Sequence, residues 1–332
     1  MAETPEEDQR RRRRKLLVRG LVVGSAALGV PALLNALVAR RAKRLPAPRW
    51  GEARLWAARE GAIRYQHLGD GARAVVLVHS IGPGHSALQW RDVAERLAPR
   101  HEVYAPDLLG WGASDHPQVT YDSHLYIDLL TGFLAEVVQR QATVVAAGLS
   151  AAHALQVAVD HPELIGALGL VVPLGVDLHG DEPDLKDAVV HRLLRLPILG
   201  TSALNVFTSR AGIAAHLQRE VFADPERVDE ALIDEYYRAS HVPGAQATLA
   251  AHLSGYLNHS VDPILPRIEQ PVWIAWGREA RSPSLAIADL WLRDLSTRAE
   301  LEVFDHAALQ PHAERPEAFA QALDDFLTRS GS

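Results

Sequence analysis

The residue best suited to nucleophilic chemistry in this chain is Ser150, which lies in the stretch Ala-Gly-Leu-Ser-Ala-Ala. An apolar run before it predicts a strand over Thr143–Gly148, and the residues after it predict a helix. A serine at a tight turn from strand to helix is held in a strained backbone conformation, so its neighbours two positions away must be small. Gly148 and Ala152 meet that demand. The sequence therefore predicts a nucleophile at Ser150, and the alternative is a serine that caps a buried helix.

The elements around Ser150 alternate between strands and helices after a proline-bearing linker over Arg44–Trp50. Apolar strands separated by amphipathic helices indicate an α/β fold, with a parallel sheet covered on both faces. The predicted strands are Ala53–Ala58, Ile63–Leu68, Ala74–His79, Val103–Asp107, Thr143–Gly148, Ala167–Val172, Val272–Trp276 and Leu301–Phe304.

A helical insertion interrupts this alternation between Pro173 and Gln270. Insertions at the carboxyl ends of parallel strands lie over the ligand crevice, so we expect this one to act as a lid. The alternatives are a scaffold of helices or a surface for a partner.

Charge is distributed unevenly along the 332 residues, whose net charge is -7. Residues 1–44 hold eleven Lys and Arg against four Asp and Glu, whereas the remainder is acidic. An acidic globular part gives no electrostatic reason to expect a nucleic-acid partner. The absence of cysteine excludes disulfides and thiolate chemistry.

The basic end flanks an uncharged run, Gly20–Ala39, which as a helix is long enough to cover about 30 Å of hydrocarbon. This pattern predicts a single-pass N-terminal membrane anchor, with the membrane as a partner. The larger basic cluster, Arg10–Lys15, precedes the run and favours an extracytoplasmic globular domain. The alternatives are an export signal that is later removed, and a peripheral or buried helix.

Three stretches of the chain resemble the α/β-hydrolase superfamily. Residues 104–115, Tyr-Ala-Pro-Asp-Leu-Leu-Gly-Trp-Gly-Ala-Ser-Asp, resemble the loop after the fourth strand of capped members. Residues 75–86, Val-Val-Leu-Val-His-Ser-Ile-Gly-Pro-Gly-His-Ser, resemble the loop after the third strand, with Ser80 where glycine is usual. Their Gly-Pro-Gly is similar to members that cleave carbon-carbon bonds. The third stretch surrounds Ser150 and resembles the family's nucleophile elbow.

The resemblance implies a mainly parallel sheet of eight strands, helices on both faces and a helical cap after the sixth strand. It places the hydrolase core at 52–173 and 271–332 and the cap at 174–270. The basic tail, the anchor or signal, and the linker are then 1–19, 20–39 and 40–51. The amides of Ile81 and Ala151 are the expected oxyanion donors, aided by the positive end of the helix.

The same resemblance leaves two triad positions without a reactive side chain. After the seventh strand, the segment that begins Pro-Val-Trp-Ile-Ala-Trp-Gly places Ala280 at the acid. After the eighth strand, both Val303 and Pro311-His312 place Leu309 at the histidine. A serine without its base is a weak nucleophile. A site lacking a triad member retains a rate enhancement of only about 10³ to 10⁴ over the reaction in water.

Other residues could replace the missing groups. His306 lies three residues before Leu309, and a redrawn loop could make it the base; His312 is the second option. Glu279, Asp177 and Asp305 are the options for the acid. The other histidines, among them His79, His85, His153, His241, His252 and His259, are predicted as loop or surface residues.

No phosphate-binding glycine loop, flavin fingerprint or metal-ligand spacing occurs, so no cofactor or metal is expected. The favoured interpretation is a pseudoenzyme that binds a small lipophilic molecule. The alternative is an atypical serine hydrolase, either esterase-like or acting on a carbon-carbon bond, with a lipophilic ester or ketone as substrate. A third reading is cofactor-free chemistry that needs no triad in the same pocket.

Overall fold

The computed structural model describes residues 28–176, 183–295 and 299–331. Eight strands form one sheet in the order β1-β2-β4-β3-β5-β6-β7-β8. The pairs β1 with β2 and β2 with β4 are antiparallel, and the remaining pairs are parallel. The strands are β1 Glu52–Ala58, β2 Gly61–Leu68, β3 Arg73–Val78, β4 His101–Pro106, β5 Ala142–Ala147, β6 Ile165–Val171, β7 Val272–Gly277 and β8 Ala299–Phe304. The predicted mainly parallel sheet of eight strands is confirmed.

Helices cover both faces of this sheet. Residues 28–44 are helical and are called α1. The others are α2 Arg91–Leu97, α3 Ser123–Phe133, α4 Leu149–Asp160, α5 Leu185–Leu194, α6 Leu199–Phe207, α7 Arg210–His216, α8 Glu230–Ser240, α9 Ala245–Leu253, α10 Ala288–Asp294, α11 Pro311–Glu314 and α12 Pro316–Ser330. The connections through α2 and α3 run in opposite directions along the sheet, so right-handed crossovers put these helices on opposite faces. We call α5–α9 the cap; the predicted domain boundaries around it stay predictions.

The core lies along the central strands, because every residue of β5 and β7 is buried. Apart from Thr143, both are apolar runs, which is what a strand needs when helices cover both of its sides. The largest fully buried side chains include Trp273 and Trp276 of β7. The loops that follow β5 and β7 thus start from fully buried strands, at the carboxyl edge of the sheet.

A buried carboxylate fixes the loop after β4. Asp107 accepts hydrogen bonds from the amide of Ala87 at 2.7 Å and from that of Ala113 at 2.8 Å. Its own carbonyl accepts the hydroxyl of Ser114 at 2.6 Å. These contacts join the 104–115 motif to the 3₁₀ turn Ala87–Trp90 that follows the β3 loop. Residues 104–115 are therefore held beside the segment that follows β3, at the carboxyl edge of the sheet.

The predicted membrane anchor at Gly20–Ala39 is wrong. Within residues 28–176, 183–295 and 299–331, no helix is long and apolar enough to cross a membrane. The part of the predicted run at 20–27 lies outside the described residues. Helix α1 instead docks on the cap: Asn35 donates to the carbonyl of Ile198 at 3.1 Å, and Ala42 is buried against a cluster that includes Ile213 and Leu217.

Candidate active site

The turn from β5 to α4 has its apex at Gly148, two residues before Ser150. Gly148 has φ 57° and ψ -126°. Residues other than glycine occasionally adopt the left-handed helical region, but the ψ of Gly148 lies outside that region. A nucleophile elbow carries the attacking side chain on the turn residue itself. A Cβ built on Gly148 would lie 2.5 Å from the Oγ of Ser80, so the Ser80 hydroxyl fills the space where that side chain would begin.

Ser150 lies within the first turn of α4 and is only 1% exposed. Its hydroxyl donates to the carbonyl of His79 at 2.7 Å. The ring of His79 is itself committed, because Nε2 accepts from the amide of Leu108 at 2.9 Å and Nδ1 lies 2.7 Å from the carbonyl of Ser80. Burial also lowers the pKa of His79. His79 therefore holds two loops together, and neither of its nitrogens takes a proton from Ser150.

Of the two predicted oxyanion donors, Ala151 has its amide engaged elsewhere. That amide donates to the carbonyl of Gly148 at 3.2 Å, closing the first turn of α4. An elbow uses the amide that follows its apex, which here belongs to Leu149. Ile81 is buried on the loop after β3, where the sequence predicts it. The two-residue difference between Ser150 and Gly148 thus moves one expected donor from Ala151 to Leu149, and the Ile81 amide stays a prediction.

The predicted acid and base positions carry apolar side chains in a tightly bonded region. Ala280 is 6% exposed, and Leu309 is half-buried with its amide donating to Val221 of the cap at 3.0 Å. Glu279 accepts from the amide of Ala307 at 2.9 Å and donates its own amide to the carbonyl of Ala307. The Glu279 carboxylate therefore stabilises the loop after β8 by this hydrogen bond.

Of the two other candidate acids, only Asp305 lies within the described residues. Asp305 is exposed and pairs with Arg278, which lowers the pKa of Asp305. Asp177 lies outside the described residues.

Neither candidate histidine is arranged as a base for Ser150. His306 is exposed, in a turn with φ 58°, whereas the Ser150 hydroxyl is enclosed and already donates to His79. His312 is fully buried, and its ring stacks on Trp90 with centroids 4.0 Å apart. A general base must come within hydrogen-bond reach of the proton it takes.

The sequence of this chain matches a known family over most of its length. The profile of the Alpha/beta hydrolase family covers residues 75–322, well over half of the chain. The chain belongs to this family.

Curated relatives in the α/β-hydrolase family match most of the chain. A 2-hydroxymuconate semialdehyde hydrolase from Pseudomonas sp. (strain CF600) is 28% identical over 267 residues, which cover 77% of this chain and 87% of the relative. A 2-hydroxy-6-oxo-6-(2'-aminophenyl)hexa-2,4-dienoic acid hydrolase from Metapseudomonas resinovorans is 26% identical, over 80% of this chain and 87% of the relative.

Solved structures of the family share the fold. A serine hydrolase involved in carbazole degradation superposes with a TM-score of 0.68 at 22% identity, covering 83% of this chain and 98% of that one. A meta-cleavage product hydrolase gives the same TM-score and identity, over 84% of this chain and 98% of that one.

Several histidines of this α/β-hydrolase-family chain are buried; the prediction of a loop or surface residue is wrong for His153, which lies within α4, whereas His85 and His241 lie in loops as predicted. His85, His153 and His241 are at most 7% exposed. His153 stacks on Tyr126, and a ring nitrogen lies 3.1 Å from the carbonyl of Leu257. Neither contact partner is near in sequence, so no local pattern could have revealed this packing.

The functional candidates that sequence reasoning missed are Gly148, Ser80 and His85. Both ring nitrogens of His85 are buried without a hydrogen-bond partner among the described residues, and its ring meets Tyr236 of α8 edge-on at 5.5 Å. Burial and the nearby His216 hold the pKa of His85 well below its ordinary value. A neutral imidazole with two unpaired nitrogens can donate one hydrogen bond and accept another. The one sequence signal for these candidates is Ser80 itself, which stands where glycine is usual in the family.

A cavity of about 300 Å³ lies at the seam between cap and core. It is bordered by Gly84 of the β3 loop, Tyr236 of α8 and Gln310, the residue after Leu309. Gln89 also lines it, and both atoms of its amide are buried without a partner among the described residues. The volume is at the lower end of the range of small-molecule pockets. Among the described residues, no group of three or more His, Asp or Glu side chains is placed to hold a metal ion.

We expect His312 to make the stability of the fold depend on pH. Burial lowers its pKa to about 3, whereas an unfolded chain has the ordinary value of about 6.5. Between these values the unfolded state binds a proton that the folded state excludes, so stability falls as pH falls from about 6.5 towards 3. From pH 6.5 to 4.5 the loss is about 2 to 3 kcal/mol.

Denaturant titrations of the wild type and of His312→Leu across that pH range measure this dependence. The leucine variant should have a flatter profile by about 2 to 3 kcal/mol, and at pH 7.5 it should lose less than about 1.5 kcal/mol. Equal slopes in the two proteins would exclude His312 as the cause.

Proposed function

We propose that this member of the α/β-hydrolase family binds a small lipophilic molecule between its cap and its core. It does not hydrolyse that molecule with a serine nucleophile. One observation carries the proposal: the apex of the β5–α4 turn is Gly148, which has no side chain to attack a substrate. Ser150, the nearest serine along the chain, donates its hydroxyl to the carbonyl of His79.

The surroundings of the apex support a role without proton transfer. If Ala280 and Leu309 stand at the acid and base positions, as the family resemblance implies, neither can orient or accept a proton. Without a base, the rate enhancement of serine-dependent hydrolysis is at least about two orders of magnitude below the 10⁶ or more of ordinary enzymes. Apolar side chains at these positions favour contact with an apolar ligand.

The proposed ligand combines an apolar body with a carbonyl or hydroxyl group. Ser80, Gly148 and Leu309 keep part of their surface accessible although their neighbours are buried. The hydroxyl of Ser80 and the unpaired nitrogens of His85 offer hydrogen bonds, and Leu309 offers apolar contact. The cavity beside Gln310 is lined by Gly84 and Ser86, the chain neighbours of His85, and its lining also holds charged side chains such as Glu235, so we place the polar end of the ligand there.

The second candidate is a hydrolase that cleaves a carbon-carbon bond in a meta-cleavage product. The names of the relatives favour it: they are hydrolases of 2-hydroxymuconate semialdehyde and of a 2-hydroxy-6-oxo-hexadienoic acid, and they match 77% and 80% of this chain. The comparisons thus support this alternative more directly than the binding role. In this chain, Ser80 is the hydroxyl nearest to the side-chain position of the apex, so it is the residue on which this candidate depends.

A fluorophosphonate probe separates the two candidates, because it labels only an activated serine. We expect labelling of the purified full chain at least about 100-fold slower than that of an ordinary serine esterase. Turnover of 2-hydroxy-6-oxo-dienoate substrates and of simple esters should stay at the background of buffer. Binding is measured in parallel, as thermal stabilisation by lipophilic ketones and alcohols of similar size.

Variants of the two serines assign any activity that appears. Labelling or turnover that disappears in Ser80→Ala, but persists in Ser150→Ala, would establish the hydrolase candidate with Ser80 as its nucleophile. Loss in Ser150→Ala alone would restore the original prediction for that residue. Either result would reject the binding role.

A further inference from the structure

Most of the exposed large apolar side chains lie in two helical segments of the chain. Thirteen of the sixteen most exposed ones in the described residues lie on α1 or within the segment 185–207, which holds α5 and α6. Leu185 is 87% exposed, Val206 74% and Leu33 62%. Single exposed apolar residues are ordinary, whereas a concentration of this kind marks an interaction surface. We call these residues the apolar face.

Helix α1 contributes a continuous stripe to this face. Val30, Leu33, Leu34 and Leu37 follow the spacing i, i+3, i+4, i+7, so they share one side of the helix. A different side is docked on the cap, where Asn35 accepts hydrogen bonds from Ser202 at 3.2 Å and from Asn205 at 2.9 Å. The stripe is therefore held in a fixed orientation and points away from the cap.

Helix α5 has the same character. None of its residues is buried, and Leu185, Val189 and Leu193 recur every four positions on one side. A helix gains most of its stability in a protein by burying an apolar side. The hydrogen bond between Asn35 and Ile198 joins α1 to the chain between α5 and α6, so the two stripes belong to neighbouring elements.

Positive charge adjoins the apolar face. Arg40, Arg41, Lys43 and Arg44 are all exposed at the end of α1. Arg41 and Arg44 continue the stripe, four and seven residues after Leu37. The whole chain has a net charge of -7, so this concentration of cations is opposite in sign to the rest of the molecule. The complementary occupant is both apolar and negatively charged.

We propose that the apolar face rests on an anionic lipid surface, with α1 and α5 lying in the plane of the interface. The apolar stripe enters the boundary between headgroups and acyl chains, and the arginines at the end of α1 contact the anionic headgroups. No helix crosses the lipid in this arrangement. The inference is independent of the ligand proposed for the site.

Vesicle sedimentation of the full chain tests it. We compare vesicles of phosphatidylcholine alone with vesicles in which about a third of the lipid is phosphatidylserine. Binding should be at least about tenfold tighter to the anionic vesicles and should weaken as salt is raised. Leu34→Asp/Leu193→Asp should lose at least about tenfold in affinity, because both charges would enter the apolar boundary. Leu55→Asp, at a 66% exposed position on β1, is the matched control and should bind as the wild type does.

Three results would overturn the proposal. The first is no sedimentation with anionic vesicles, or equal loss in Leu55→Asp. The second is concentration-dependent self-association that the double variant abolishes while vesicles stay unbound, which would make a second copy of the chain the occupant. The third is a lower melting temperature of the double variant without lipid, which would mean that the chain itself covers the face.

Discussion

Gly148→Ala is expected to lower the free energy of unfolding by about 2 to 6 kcal/mol. The backbone at this position has a positive φ and a ψ of -126°, which costs any residue with a Cβ about 1 to 3 kcal/mol. The added methyl group would also lie 2.5 Å from the Oγ of Ser80, and relieving such crowding in a packed interior costs about 1 to 3 kcal/mol more. Equilibrium denaturation in urea measures the sum.

A double-mutant cycle with Ser80→Gly separates these two causes. Removing the Ser80 hydroxyl should recover the crowding energy in the Gly148→Ala background, but not the backbone strain. Gly255→Ala is the matched control, because Gly255 also has a positive φ and a Cβ there would come no closer than 3.3 Å to the side chain of Asn258. Additive effects in the cycle would show that Ser80 does not fill the space beside the apex. A neutral Gly148→Ala would contradict the strained turn itself.

The two-residue difference between the predicted nucleophile, Ser150, and the apex of the turn, Gly148, shows what one sequence can specify. The strand, the helix and the junction between them follow from the apolar run and the small residues around it, and all three are observed. The junction contains both Gly148 and Ser150, and either spacing satisfies the demand for small neighbours. Only the backbone angles decide which residue stands at the apex, and a positive φ is not written in a hydrophobic pattern.

The sequence wrongly predicts a membrane span at α1 for a related reason. An apolar run flanked by arginines is equally compatible with a span and with a helix that has two apolar sides. What distinguishes them is the contact of Asn35 and Ala42 with the cap, about 170 residues away in the chain. Long-range packing of this kind also buries His85 and His153. The strands, in contrast, are predicted well because the hydrophobic pattern that indicates a strand is local in the sequence.

Replacing Glu314 is expected to loosen the cap from the core. This carboxylate is 1% exposed, and its two oxygens accept the amide of Ala223 in the cap and the amide of Ala308 after β8, each at 2.7 Å. Burial raises the pKa of Glu314, while the two amides oppose that shift. Glu314→Ala would leave the buried amide of Ala308 and the half-buried amide of Ala223 unsatisfied, at about 1 to 3 kcal/mol each, so the expected loss is about 2 to 6 kcal/mol.

Glu314→Gln should lose roughly half as much, because its amide oxygen still accepts one of the two hydrogen bonds while its NH₂ group faces the other donor. Glu317→Ala is the control, since Glu317 is an exposed carboxylate whose ion pair with Arg96 lies at 3.5 Å on the surface. Hydrogen exchange locates the effect: in Glu314→Ala the amides of Ala223 and Ala308 should lose protection before those of β5 do. Uniform loss of protection would mean that Glu314 stabilises the fold as a whole. Selective loss would show that this one carboxylate fixes the distance between the cap and the loop that carries Leu309, and hence the width of any ligand site between them.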